Sequence, residues 1–100
     1  MPAGSKALVI HPQDNVAVAL EDIPLGASVT VLGSGERCLP ASQEIPFAHK
    51  IALQSIGQGQ PVLKYGVPIG FATCHIPAGA WVHDHNLKSY FVARREGQIQ

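Results

Sequence analysis

The sequence is poor in charge and has no excess of either sign. Charged residues make up 14% of the 100 residues, with seven basic against seven acidic side chains. A chain balanced in this way has no basic surface with which to bind nucleic acid or an anionic membrane, so we expect neither as a partner. So few charges on a small domain also indicate that part of its surface is covered by another chain or by a second copy of itself.

Sulfur and long apolar runs are scarce as well. The two cysteines, Cys38 and Cys74, are too few for the disulfide framework of a small secreted domain, and the sequence leaves open whether they pair. The longest apolar run, residues 16–20, is far shorter than the roughly 20 residues that span a bilayer, and the amino terminus has no signal-peptide core. We expect a cytoplasmic protein with one domain at residues 7–88, between tails at 1–6 and 89–100.

Short apolar segments separated by glycine- and proline-containing turns predict an all-β domain. Segments of four or five residues rich in branched side chains, such as 7–10, 29–32 and 62–65, are typical of strands. Residues 16–20 are compatible with a helix capped by Asp14 or Asn15, but their short length and two valines favour a buried strand.

One strand–turn–strand pattern occurs three times. Each copy has an alanine, an isoleucine four residues later, a glycine three residues after that, and a valine three residues further on. The copies are Ala19-Ile23-Gly26-Val29, Ala52-Ile56-Gly59-Val62 and Ala72-Ile76-Gly79-Val82. The isoleucine is expected to end a strand, and the glycine to supply the positive φ of a tight turn. Because the copies are unevenly spaced, they do not indicate a solenoid.

Histidines are concentrated near the carboxy-terminal end. His83 and His85 are two residues apart, a spacing that in an extended strand places both imidazoles on one face, about 6.5–7 Å apart at Cα. There they can share a metal ion. Asp84 would point away, or act as an outer-shell partner or as a ligand if the chain turns there. The alternative is a pair of surface histidines at a strand end. Asn86 is a candidate to hydrogen-bond a substrate hydroxyl or carboxylate.

Two neighbouring pairs, His49-Lys50 and Lys64-Tyr65, add further candidates. An imidazole beside a cation suits proton transfer and the binding of a carboxylate. Adjacent strand residues point to opposite faces, so one member of each pair can face a shared site. Each lysine, taken alone, is also compatible with a solvated position. The same alternation argues against Cys74 and its neighbour His75 as a catalytic dyad, and we expect Cys74 in the core.

Four segments in order resemble one protein family. They are residues 10–20, 49–53, 64–70 and 82–86, with the sequences IHPQDNVAVAL, HKIAL, KYGVPIG and VHDHN. Together they resemble the amino-terminal domain of altronate and galactarate dehydratases, a small SAF-type domain with a β-clip fold, over about residues 8–88. Ala48 departs from the glycine usual in that family, and Cys74-His75 stand where small or acidic residues are commoner, which leaves the substrate open.

The resemblance implies part of a metal-dependent hydro-lyase that dehydrates a sugar acid and is inactive alone. The chain would be a small subunit or amino-terminal domain, its partner a large dehydratase subunit or domain, and its cofactor a divalent metal, Fe²⁺ before Mn²⁺ or Zn²⁺. The predicted site comprises His49, His83 and His85 for catalysis, Lys50, Lys64 and Asn86 for substrate binding, and His83 and His85 as metal ligands.

Three alternatives stay open at this point. The chain is also compatible with a subunit of a sulfolactate sulfo-lyase, and with a non-catalytic SAF module that binds a sugar acid or a protein. A self-assembling structural protein, a homo-oligomer whose stability does not depend on the histidines, is the third.

Overall fold

The computed structural model describes residues 4–33, 35 and 37–90, and its elements are nine strands in two sheets. The predicted all-β class is confirmed. The strands are β1 (Ser5–Leu8), β2 (Val16–Ala19), β3 (Ser28–Leu32), β4 (Arg37–Pro40), β5 (Lys50–Ala52), β6 (Pro61–Lys64), β7 (Val67–Ala72), β8 (Trp81–Val82) and β9 (Leu87–Ser89). The order is β4-β3-β1-β2-β5-β8 in the larger sheet and β6-β7-β9 in the smaller one. Within the described residues no helix is long and apolar enough to cross a membrane.

Residues 16–19 form the buried strand that their valines predict. This strand, β2, lies between β1 and β5 and pairs antiparallel with both. Neighbours on both sides satisfy its backbone, and Val16, Ala17 and Ala19 are no more than 1% exposed. A helix at this position would leave β1 and β5 without the strand that joins them.

The strand–turn–strand pattern occurs four times, once more than the sequence pattern indicates. In each copy a four-residue turn follows the isoleucine and is closed by a hydrogen bond from its fourth residue to its first. The closing pairs are Ala27 N–Pro24 O, His49 N–Pro46 O, Gln60 N–Gly57 O and Ala80 N–Pro77 O, at 3.0–3.1 Å. The third turn residue has a positive φ in every copy, at Gly26, Ala48, Gly59 and Gly79. The additional copy spans residues 41–51 and escapes the pattern because Ala48 replaces the glycine and Ile51 replaces the valine.

The four copies pair two by two. Ile23 and Ile45 exchange both backbone hydrogen bonds at 2.8 and 2.9 Å, and Ile56 and Ile76 do the same at 2.8 Å. Within each pair, the positive-φ residue of one copy donates its N–H to the carbonyl of the alanine that opens the other. These bonds run from Gly26 to Ala41, Ala48 to Ala19, Gly59 to Ala72 and Gly79 to Ala52. The domain therefore consists of two similar halves, each with its own buried apolar cluster.

Asp14 joins the smaller sheet to the larger one. Its buried carboxylate accepts hydrogen bonds from the backbone N–H groups of Tyr65 at 3.0 Å and Gly66 at 2.8 Å, and from that of His11 at 3.1 Å. Gly66 has a φ of 77°, and a Cβ there would lie 2.8 Å from the His11 ring. Two of the four family-like segments, around residues 11–15 and 64–66, are thus in direct contact.

Asn15 continues this junction one residue later. Its side-chain oxygen accepts from Leu63 N at 2.7 Å, and its amide nitrogen donates to Pro61 O at 3.0 Å. Asn15 is 8% exposed, so both bonds are made away from bulk water. The junction between the sheets thus rests on two polar side chains whose hydrogen-bonding groups are used within the fold.

Both cysteines are exposed and unpaired. Cys38 lies on β4, whereas the prediction that Cys74 lies in the core is wrong. Cys74 follows the opening alanine of its copy by two positions, and the corresponding residues of the other three copies are also exposed. These are Glu21, Gln43 and Gln54. The repeated turn therefore directs this position to solvent whichever residue occupies it.

Candidate functional site

Trp81 on β8 brings three of the five histidines together. Its indole Nε1–H donates a hydrogen bond of 3.0 Å to Nδ1 of His49. The His83 ring is stacked parallel to the indole, with 10° between the planes and 5.7 Å between the centroids. The His85 ring lies 4.8 Å from the indole centroid, and the His49 and His83 rings are 4.3 Å apart. We refer to Trp81, His49, His83 and His85 as the histidine cluster.

The position of Trp81 is fixed by its backbone and by its ring. Its N–H donates to the side-chain oxygen of Gln43 at 2.9 Å, and its carbonyl accepts from the side-chain amide of Asn86 at 2.8 Å. In the sheet Trp81 is paired with Ile51, and the indole packs against the apolar cluster of the first half. The histidine cluster is therefore built on a rigid element.

Residues 83–86 form a turn, which differs from the extended strand that the spacing argument assumed. The N–H groups of Asn86 and Leu87 both donate to His83 O, at 3.0 and 2.9 Å. The strand ends at Val82 because the side-chain oxygen of Asn86 accepts from His83 N at 2.9 Å and takes the place of a neighbouring strand. Both imidazoles still contact the indole, although strand alternation is not the reason.

Asn86 is 6% exposed, and both ends of its side chain are used within this turn. It positions the backbone of Trp81 and His83. A direct contact with substrate, which the sequence analysis assigned to Asn86, stays a prediction. Asp84 in the same turn is solvated, with its side chain 97% exposed and 3.9 Å from Nε2 of His83.

Lys50 and Lys64 lie close enough to interact electrostatically. Lys50, on β5, is partly buried opposite Val82. Burial lowers the pKa of Lys50 below its ordinary value of 10.5, the charge of Lys64 lowers it further, and Asp84 opposes the shift. Two ammonium groups whose charges interact attract an anion more strongly than either does alone.

The remaining histidines do not join the cluster. His75 is exposed, with its Nε2 3.0 Å from Ser55 Oγ, and His11 accepts a hydrogen bond from Gln13 N in the loop before β2. His85 lines two open surface depressions of about 400 and 480 Å³, with Asn86 at the edge of the first and Asp84 at the edge of the second.

The histidine, cysteine and acidic side chains of the described residues do not by themselves form a site for a divalent metal. Among residues 4–33, 35 and 37–90, no three histidine, cysteine or acidic side chains converge as a metal-binding group. Since Nδ1 of His49 accepts from Trp81, the cluster offers His83 and His85. Two imidazoles do not fit a catalytic metal centre, which ordinarily has three protein ligands. The described part of this chain would need ligands from another polypeptide.

Trp81 and Gln43 were not predicted as site residues. The alternation of Trp81, His83 and His85 along the chain was a signal for Trp81, although a turn and not an extended strand brings the three rings together. Gln43 lies 38 residues before Trp81, and no local pattern indicates that its side chain binds there.

Comparison with known proteins places this chain in a family. The family described as altronate/galactarate dehydratase SAF domain matches residues 5–90. Altronate dehydratase of Escherichia coli strain K12 is 44% identical over 80 residues, which cover 80% of this chain and 16% of that protein. Galactarate dehydratase (L-threo-forming) of the same strain is 36% identical over 75 residues, or 75% of this chain and 14% of that protein.

A small lyase subunit is also similar. The (2R)-sulfolactate sulfo-lyase subunit alpha of Chromohalobacter salexigens is 31% identical over 86 residues, which cover 81% of this chain and 92% of the subunit. The chain thus spans about one-sixth of the length of the altronate dehydratases and nearly all of this subunit. The resemblance carried by the four sequence segments is confirmed, and the chain belongs to the altronate/galactarate dehydratase SAF domain family.

Proposed function

We propose that this chain is the small subunit or amino-terminal domain of a sugar-acid dehydratase and supplies imidazoles to an active site that a larger chain completes. The observation that supports the proposal most is the convergence of His49, His83 and His85 on one indole. The charges of Lys50 and Lys64 interact, and both lysines would attract the carboxylate of the substrate.

The proposed reaction is elimination across a 2,3-dihydroxy carboxylate. A base removes the proton from the carbon next to the carboxylate, and cations stabilise the negative charge that develops on the carboxylate oxygens. An acid then protonates the hydroxyl that leaves from C3 as water. The enol that forms tautomerises to a 2-keto-3-deoxy acid. Lys50 and Lys64 would stabilise charge, and the imidazoles would donate or accept protons.

The larger chain is proposed because His85 of the histidine cluster lines open surface depressions, and the described residues provide no complete metal-binding group. The chain is similar to nearly all of a protein named as a lyase subunit and to a small part of two dehydratases. A divalent metal, Fe²⁺ before Mn²⁺ or Zn²⁺, would also depend on the larger chain, since the described residues contribute His83 and His85 and no third ligand. We expect the isolated chain to be inactive.

A sulfo-lyase is the second candidate, supported by the 92% coverage of the sulfolactate sulfo-lyase subunit alpha. The same cluster would serve there, with a carbon–sulfur bond breaking and sulfite leaving in place of water. The higher identity to altronate dehydratase, 44% against 31%, favours the dehydratase. The third candidate, a binding module, would need none of the imidazoles for turnover.

The proposal can be tested by exchanging this chain for the corresponding region of the Escherichia coli altronate dehydratase. We expect the chimeric enzyme to dehydrate altronate, and the substitutions His83→Ala and His85→Ala to lower turnover at least about 100-fold. Gln58→Ala is the control, because it truncates an exposed side chain that lies outside the histidine cluster and outside both depressions that His85 lines. Activity of the cluster variants equal to that of the control would overturn the assignment, as would turnover by the isolated chain.

Further measurements separate the candidates. In a second exchange this chain replaces the sulfolactate sulfo-lyase subunit alpha. Turnover of sulfolactate in that exchange, without turnover of altronate by the dehydratase chimera, would favour the sulfo-lyase. Elemental analysis of the isolated chain for iron, manganese and zinc, with His83→Ala as the comparison, tests whether the two imidazoles retain a metal without the larger chain. We expect no retained metal, in line with the incomplete ligand set.

A further inference from the structure

We propose that Trp81 is a positioning residue that holds His49 in one tautomer, with its proton on Nε2. His49 then faces the substrate as a hydrogen-bond donor and not as a base. The assignment of the tautomer depends on the geometry of this chain alone, whereas its consequence for the substrate rests on the proposed function.

The first step is the direction of the hydrogen bond between the two rings. An indole nitrogen carries a proton and no available lone pair, so it can donate but not accept. Nδ1 of His49, 3.0 Å away, must therefore be the acceptor and carry the lone pair. A neutral imidazole has a single N–H, and with Nδ1 unprotonated that proton lies on Nε2.

The second step is that neither ring can easily leave this contact. Trp81 is held by Gln43, by Asn86 and by the core packing of its indole. The His49 backbone is held on both sides, since its N–H closes the preceding turn to Pro46 O at 3.0 Å and its carbonyl accepts from Ala19 N at 2.8 Å. The His83 ring lies against the other side of the cluster, with its centroid 4.3 Å from that of His49. The tautomer is thus fixed by the packing of the whole site.

The consequence for chemistry follows from the two nitrogens. Nδ1 accepts from Trp81, and Nε2 carries the proton, so the neutral ring offers no lone pair with which to remove a proton from carbon or to bind a metal. Nε2–H is left to donate to an oxygen of the substrate, where a fixed donor stabilises developing negative charge. The base in the proposed elimination is then His83, His85 or a residue of the larger chain.

The test is a two-bond proton–nitrogen correlation spectrum of the full ¹⁵N-labelled chain at alkaline pH, where imidazoles are neutral. We expect His49 to show one tautomer, with a protonated Nε2 and an unprotonated Nδ1. In Trp81→Phe the aromatic ring remains but the donor is lost, and the two nitrogen shifts of His49 should move toward averaged values. His11, whose Nδ1 accepts from Gln13 N in the loop before β2, is the internal reference and should not change.

Averaged shifts or a protonated Nδ1 at His49 in the unsubstituted chain would overturn the proposal, as would unchanged shifts in folded Trp81→Phe. His49→Ala provides a second measurement that does not disturb Trp81, because the indole N–H resonance should move upfield when its acceptor is removed. These spectra need neither substrate nor the larger chain. If the proposed function is wrong, these spectra are still expected to show the single tautomer. If the tautomer test fails, the family assignment and the result of the chimera experiment are not affected.

Discussion

Ala48 and Gly26 occupy equivalent turn positions in two copies that face each other, with φ angles of 70° and 84°. Each donates its backbone N–H to the opening alanine of the opposite copy, Ala48 to Ala19 and Gly26 to Ala41. A side chain at such a φ is sterically unfavourable, and glycine avoids the cost. The one copy without a glycine is also the copy in which His49 is the last residue of the turn and Lys50 follows it.

Ala48→Gly is expected to stabilise the protein. Relief of the left-handed conformation is worth about 1–2 kcal/mol, and the greater freedom of glycine in the unfolded chain cancels about half of it. We expect a net gain of about 0.5–1 kcal/mol in the free energy of unfolding, measured by urea denaturation. The matched control is Gly59→Ala, since a Cβ at Gly59 has no neighbour within 4 Å at a φ of 83°. It should lose a similar amount, and a loss of stability in Ala48→Gly would contradict the account.

Gly79→Ala is expected to be more destabilising than Gly59→Ala, although the two φ angles are both 83°. A Cβ at Gly79 would overlap the carbonyl oxygen of Pro40 and approach Ser42 N at 3.1 Å, and both are backbone atoms that cannot rotate away. We expect a loss of about 2–4 kcal/mol from strain and overpacking together. Thermal denaturation of the two variants side by side separates the conformational cost, which they share, from the steric cost. Equal losses would show that the halves can move apart freely.

Asn86→Ala is expected to lower stability in the absence of any substrate or partner. The substitution removes two partly buried hydrogen bonds and leaves the His83 N–H and the Trp81 carbonyl without these partners. A loss of about 2–3 kcal/mol is expected, together with a changed emission of Trp81. Gln58→Ala, which truncates an exposed amide in another turn, is the control. Unchanged unfolding of Asn86→Ala would instead favour a role confined to substrate binding.

Lys50→Met is expected to stabilise the isolated chain near neutral pH. Because burial and Lys64 lower the pKa of Lys50, the folded state disfavours the charged form. Between the lowered folded-state pKa and 10.5 the unfolded chain binds more protons, so the stability of the natural chain rises with pH in that window. The gain in Lys50→Met should therefore shrink as the pH approaches 10.5. Exposed Lys6 provides the control variant Lys6→Met. A gain independent of pH would show that the charge of Lys50 is not its cause.

Much of the fold could be predicted from short patterns, because the repeated turn uses local chemistry. Alanine, isoleucine and glycine at fixed spacing identify three of the four turns, and all of the predicted copies form. The fourth was missed since Ala48 adopts a conformation that local preference assigns to glycine. Tertiary contacts determine the positive φ of residue 48. The Ile23–Ile45 bridge and the hydrogen bond from Ala48 N to Ala19 O require this conformation whichever residue is present.

The site was predictable in its composition and not in its geometry. The family-like segments indicated His49, His83 and His85, and these do converge, but through an indole that was not selected. The turn at residues 83–86 depends on Asn86, whose side chain satisfies a backbone group three residues earlier. A polar residue at a strand end is compatible with a turn cap and with a ligand contact, and the sequence does not distinguish the two.

Trp81 is the single tryptophan of the chain. When the indole is excited selectively over the two tyrosines, the emission therefore comes from one place, within contact of three imidazoles. Titration with candidate sugar acids, with divalent ions or with a purified larger chain can be followed without a label. A response in emission would measure occupancy at the cluster even under conditions where no product is formed.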